Sequence, residues 1–309
     1  MGCLVSTQAP KQTLAERVTA KVRIEHYGVL GSKRVGNGEV PVAEKPDGDT
    51  VLIDPCNADF VHRSGPRHAG GAAGAIYDFL NIRTDAAFPQ SVKAEIKGEG
   101  NCAYHRYGYP HSHHVIHAVG YDFRTYSQRH GELDDEGAVE LLGGLYAKIL
   151  ALASKYGRKK LRLVPISAGI FSGPLQARMP ELTARALRSA IDRTFGEAAS
   201  SDAHRATYVD MIEYVEMCIY MESDFRLYRE AWARAVDPQA ELDRAAARLQ
   251  AITRGNSCQR IASGHAVGDA KVVDAAQSVR ERDADPMAPP RSVASASDPA
   301  LGTVIGDAH

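Results

Sequence analysis

Hydrophobic and polar positions alternate along short runs that are separated by stretches of helical period. In VTAKVRIEHY, Val18, Ala20, Val22 and Ile24 fall on one face and Thr19, Lys21, Arg23 and Glu25 on the other, the period-two pattern of a half-buried strand. VLID at 51–54, HHVIHAVG at 113–120 and LRLVPIS at 161–167 are short, mainly apolar runs bounded by turn residues or loops and read as buried strands, and YVEMCIYM reads as another strand. Leu142, Leu145, Tyr146, Ile149 and Leu152 recur at helical spacing, as do Leu182, Ala186, Ala190 and Ile191 after Pro180. Phe225, Tyr228, Trp232 and Ala235 form one helical stripe in ESDFRLYREAWARA. Strands alternating with helices predict an α/β layered domain. GSKRVGNGEVPVAEKPDGD, rich in Gly, Pro and charge, reads as an exposed connection.

The pattern ends near residue 237. AELDRAAARLQAI continues as a short predicted helix, and beyond Arg254 the Gly, Ser, Ala, Asp and Pro content leaves too few large apolar residues for a core, so a disordered tail is expected there. The organisation read from the chain is an N-terminal segment at 1–15, a folded domain at 16–236, and a helix with tail at 237–309.

Composition changes this picture little. The 309 residues are 44% hydrophobic and 24% charged, with a formal net charge of −1. That balance gives no global pull toward nucleic acid or an anionic surface. Cys3, Cys56, Cys102, Cys218 and Cys258 show no paired spacing, in keeping with reduced thiols. No run approaches the roughly 18 apolar residues of a membrane span, and no secretory h-region follows the start, so a cytosolic location is expected.

Three glycine-bearing stretches follow predicted strands: DPCNADFVHRSGPRHAGGAAGAIY, HAVGYD and ISAGIFSGP. Beyond the carboxyl ends of strands, glycines let a backbone approach phosphate, and helix N-termini aim N–H groups at it. None has the G-x-G-x-x-G or G-x-x-x-x-G-K-[ST] spacing of the common nucleotide loops.

Taken in order, these stretches resemble the macro domain family of ADP-ribose binders. DPCN, at Asp54 to Asn57, stands where the family has N-A-A-N; HAGGAAGAI, at 68–76, is similar to the viral H-G-G-G-V-A-G-A-L loop. HVIHAVGYD is close to Y-V-I-H-A-V-G-P-D, PISAGIFSGP resembles P-x-I-S-T-G-I-F-G-x-P, and EMCIYMESDFRLYREAWAR matches the usual ending. The resemblance implies a three-layer α/β/α fold around a central mixed sheet. It also implies binding of ADP-ribose or mono-ADP-ribosylated proteins, with no resident cofactor or metal.

Position by position, the resemblance gives Asn57 the distal ribose. Gly70, Gly71, Ala72, Ala73 and Gly74 would wrap that ribose and the diphosphate, and Ser167, Ala168, Gly169, Ile170 and Phe171 would close over the phosphates. Phe225 suits adenine stacking and suits a core aromatic equally well. Hydrolysis would position a water near C1″, with Asn57, His68 and Asp54 as the candidate catalytic residues.

The chain also departs from the pattern. Asp54 replaces the first Asn, Pro55 and Cys56 replace two alanines, and the segment from Asn57 to His68 is about six residues longer than in the viral loop. Ala73 stands where many hydrolases carry Asp, and Gly28, Val29 and Leu30 stand where the family has G-D-[IV] at the adenine end. The cluster His105, His111, His113, His114 and His117 splits between strand faces, which disfavours a zinc site. Hydrolase, non-catalytic reader and ligand-free scaffold are the three functions compatible with these residues.

The opening MGCLVST places Gly2, Cys3 and Ser6 in the myristoylation pattern M-G-x-x-x-[ST]. A myristoyl chain on Gly2 with a palmitoyl chain on Cys3 would hold the domain at the cytosolic face of a membrane, since one acyl chain alone binds marginally.

Overall fold

The computed structural model describes residues 12–108, 112–196, 202–237 and 239. Gly2, Cys3, His111, the helix predicted from 240 and the tail lie outside the described residues. A six-stranded sheet has the order β1 (Val22–Glu25), β8 (Tyr214–Cys218), β7 (Lys160–Leu163), β4 (Thr50–Cys56), β6 (His113–Val119) and β5 (Cys102–Tyr107). β5 runs antiparallel to β6 and every other pairing is parallel, so the sheet is mixed.

One face of the sheet is covered by α1 (Leu14–Thr19), α5 (Asp135–Lys155), α6 (Met179–Phe195), α7 (Ala203–Met211) and α8 (Glu222–Val236). The other is covered by α2 (Gly71–Phe79) and α3 (Gln90–Glu95), with the loops around them. The expected three-layer α/β/α architecture is therefore present. Strand alternation divides β4 between the layers: Val51 and Ile53 enter the first core, Leu52 and Cys56 the second. In α5, Leu142, Leu145, Tyr146 and Ile149 are buried at the predicted spacing, each contributing roughly 1.5–3 kcal/mol by leaving water. α5 is long and apolar enough in composition to cross a bilayer, unlike the sequence expectation, but its apolar side packs on α6 and the sheet.

Two local readings are corrected. The strand expected from Val18 is helix through Thr19, because Thr13 and Glu16 form a reciprocal capping box and Leu14, Ala15 and Val18 share the buried side; only Val22–Glu25 is strand. The connection at 31–49 contains an exposed hairpin, β2 (Ser32–Val35) with β3 (Gly38–Pro41), closed by Gly36-Asn37. Gly36 has φ 59°, as such a turn demands. α4 (Tyr126–His130) is the remaining α-helix among the described residues.

Candidate functional site

A cleft of about 280 Å³ opens beyond the carboxyl ends of β4 and β6, where open α/β sheets offer a crevice. It is lined by Cys56, Asn57 and Ala58 after β4, by Val119, Gly120 and Asp122 at the end of β6, and by Phe171 from the loop after β7. Glu99, Thr125 and Arg129 complete the wall.

Asn57 is half-buried there. Its Oδ1 accepts from the Asp59 N–H at 2.7 Å, which fixes the amide and leaves the Nδ2 donors uncommitted among the described residues. The loops after β6 and β7 are stitched together: Ser167 Oγ accepts from the Tyr121 N–H at 2.8 Å, and Phe123 N–H donates to Phe171 O at 2.9 Å. Gly120 is required at this junction, since a Cβ would lie 2.4 Å from Ser167 Oγ and 2.7 Å from Ile166 Cγ2. Ser167 is held at φ 63°, a left-handed backbone that costs a non-glycine residue energy. Gly169 and Ile170 are exposed on the loop, with Ile170 76% accessible, while Ala168 is half-buried.

The charged wall is organised around Glu99, whose Oε1 accepts from the Asp122 N–H at 3.1 Å and from Arg129 at 2.9 Å. Asp122 is chelated by Arg124 at 2.7 and 2.8 Å, and this hydrogen bonding holds its carboxyl below the usual range. The Arg124 guanidinium also lies 4.9 Å from the Phe171 ring centroid. With these charges paired, an anionic ligand here would depend on backbone N–H donors.

The other sequence-derived residues do not line this cleft. Gly70 is the N-cap of α2 and Gly71 has φ 56°; both are exposed with open space around the Cα, so the first-turn N–H groups of Gly71, Ala72 and Ala73 form a donor edge. Ala73 and Gly74 are buried, and a Cβ on Gly74 would meet Ala69 O at 2.7 Å, which makes that glycine a packing requirement. His68 ends a 3₁₀ turn, Pro66–His68, and is exposed. The longer segment before it is folded as a π turn, Phe60–Ser64, anchored by buried Val61 and by His62 Nε2 against Ile96 O at 2.8 Å. Phe225 stacks on His26 with centroids 5.2 Å apart and has the Arg229 guanidinium 5.5 Å from its centroid.

Asp54 lies beneath the cleft, fully buried between the sheet and α2. Its Oδ2 accepts from Tyr77 Oη at 2.7 Å and lies 2.6 Å from His117 Nδ1, while Tyr107 Oη is 2.8 Å from His117 Nε2. The sequence reading placed this carboxylate against ligand. Asp54 shares the strand face of Leu52 and Cys56, but it is fully buried and its Oδ2 is taken by Tyr77 and His117, so burial and not strand alternation keeps it off the cleft wall. Asp54, Cys56 and His117 bring three possible metal-ligand atoms within 4.8 Å of one another. Burial pushes the Cys56 thiol well up, so it is a neutral thiol, and the Asp54–His117 contact is already a hydrogen bond. His114, on the other face, bonds Tyr104 Oη at 2.5 Å.

Sequence reasoning missed Glu99, Thr125 and Arg129. Asp122 closes the quoted HAVGYD stretch but carried no assigned role. Glu99 and Arg129 sit 30 positions apart and meet only through the fold, so no local pattern marks them.

Residues 53–180 match the macro domain family model, a segment running from β4 into the start of α6 and containing every residue of the cleft wall. The mixed sheet with helices on both faces is the macro domain fold. Solved structures with a likeness include the Trypanosoma brucei macrodomain in complex with ADP-ribose, 17% identical over 69% of this chain and 70% of that one, TM-score 0.41. The Oceanobacillus iheyensis macrodomain with ADP is 17% identical over 67% of this chain and 96% of that one, TM-score 0.41. No curated protein matches.

Proposed function

We propose that this protein binds ADP-ribose in the cleft beyond β4 and β6 and hydrolyses mono-ADP-ribose from modified proteins. The observation that carries the reading is the position of Asn57, fixed through Oδ1 with its Nδ2 donors uncommitted, on a cleft wall built wholly from the macro-domain segment. An amide donor suits a ribose hydroxyl. The α2 donor edge and the backbone of 167–171 suit a diphosphate, which needs N–H groups at close range. ADP-ribose is the ligand of the T. brucei macrodomain complex, and it is the ligand we bring to this chain.

A non-catalytic reader is the second reading, favoured by one observation: Asp54 is committed to Tyr77 and His117, and His68 faces solvent, so two of the three catalytic candidates stand apart from the cleft. Calorimetry with free ADP-ribose, together with release of ADP-ribose from a modified protein, separates the two. Binding and release that both vanish in Asn57→Ala support the hydrolase; binding without release leaves the reader. Turnover that survives Asn57→Ala would falsify this site assignment.

The membrane location rests on Gly2, Cys3 and Ser6, outside the described residues. Two acyl chains on Gly2 and Cys3 give stable attachment at a cytosolic face, and the ADP-ribose chemistry then operates there.

A further inference from the structure

Resting on the hydrolase reading above, we propose that Glu99 is the general base that takes the proton from the attacking water. Three carboxylates lie in or under the cleft, and their hydrogen bonds distinguish them. Asp54 is fully buried, with Oδ2 committed to Tyr77 and His117. Asp122 has both oxygens on Arg124, which holds the carboxyl low and makes it a weak base. Glu99 uses only Oε1, for the Asp122 N–H and Arg129; Oε2 has no partner among the described residues.

The backbone carrying Glu99 is fixed. Gly100 N–H donates to Val119 O at 2.8 Å, Gly100 O accepts from Lys148 Nζ at 2.7 Å, and Asn101 Oδ1 accepts from the Lys97 N–H at 3.2 Å. Gly100 has φ 73°, and a Cβ there would fall 2.2 Å from Tyr121 Oη, so the turn admits no larger residue without movement. The Glu99 side chain is 24% exposed, enough for water to reach it. A carboxylate oriented by two donors on one oxygen, with the other oxygen open on the wall shared with Asn57, has the features of a preorganised base.

The step balances without a co-reactant. Water oxygen forms a bond to C1″ as one proton passes to Glu99 Oε2; the C1″–O bond to an acidic side chain breaks, and its electron pair leaves on the departing carboxylate. That leaving group is a weak base and needs no proton donor. Glu99 then returns the proton to solvent, giving ADP-ribose, a free side-chain carboxylate and one proton.

The test measures ADP-ribose affinity by calorimetry and single-turnover release from a protein mono-ADP-ribosylated on acidic side chains, from acid pH on the low side of the ordinary carboxylate range up to about pH 8. E99Q is expected to keep affinity within about twofold, to lose release by about 10²-fold or more, and to lose the acid limb of the wild-type rate profile. E99D, which retains the charge on a shorter arm, is expected to be slower with that limb intact, and serves if E99Q does not fold. Unchanged release in E99Q overturns the assignment and leaves the hydrolase reading standing. A loss in E99Q that R129A reproduces, with the acid limb intact in both, also overturns it, because Glu99 would then only hold Arg129. Wild-type binding without release overturns the hydrolase reading and this assignment together.

Discussion

Ser167 Oγ accepts a hydrogen bond from the backbone N–H of Tyr121 at 2.8 Å, joining the loop after β7 to the end of β6. Ser167 makes this bond from a left-handed backbone at φ 63°. Ser167→Ala leaves the Tyr121 N–H unpartnered and is expected to cost about 1–2 kcal/mol in urea unfolding. Ser167→Gly loses the same bond but relieves the backbone, so its loss should be smaller by about 1 kcal/mol. Equal losses in the two variants would show that φ at 167 carries no strain.

The buried chain Tyr107, His117, Asp54 and Tyr77 makes a separate stability claim. Removing the carboxylate with Asp54→Ala strands His117 and Tyr77 in the core, with an expected cost of about 3 kcal/mol. Tyr77→Phe removes one donor and should cost about 1–2 kcal/mol. Denaturant midpoints that do not move in either variant would refute a stabilising network.

His114 gives a pH dependence. Burial first, then the positive Arg158 and Arg106, lower its pKa to about 4. A histidine neutral in the folded state but protonated near 6.5 when unfolded lets the unfolded chain bind the extra proton, so stability is full above pH 6.5 and is lost as pH falls toward 4. Allowing for partial solvent screening, the loss should be about 2 kcal/mol. His114→Gln should flatten that part of the profile. Asp47, held at about 2 by hydrogen bonds from Lys160 and Thr50 that outweigh its burial, acts in a lower window, below pH 3.8.

Membrane attachment is checked by fractionation. Gly2→Ala is expected to move the protein to the soluble fraction, and Cys3→Ser to leave attachment weak and reversible. A wild-type protein recovered wholly in the soluble fraction would end the acylation proposal.

The strands buried on both faces were legible because Val51, Leu52, Ile53, Val115, Ile116, Ala118 and Val119 form short apolar runs despite the polar residues among them, and the long helices because their apolar stripes recur at 3.6 residues. α1 was misread because six residues allow both periods, although Thr13 and Glu16 already spelled a capping box. The β2–β3 turn had its signal in Gly36-Asn37-Gly38, hidden among charges. β5, CAYHRY, is an edge strand of mixed polarity and gives no clear alternation. In the site, Asn57 and Phe171 came from motifs. Glu99 and Arg129 depend on which turns the sheet brings together, and the burial of Asp54 depends on Tyr77 and His117, which the DPCN motif does not contain.

The capping box at Thr13 sets the length of a leash. The stretch from Gly2 to Gln12 spans at most about 35 Å when fully extended, shorter than a tether running to Val18. With the proposed acyl chains in the bilayer, the cleft would be confined to a thin shell of cytosol. Targets in that shell meet it at an effective concentration in the millimolar range. A weak affinity for ADP-ribose would suffice for substrates on the same membrane, and the same domain released into solution would pass them by.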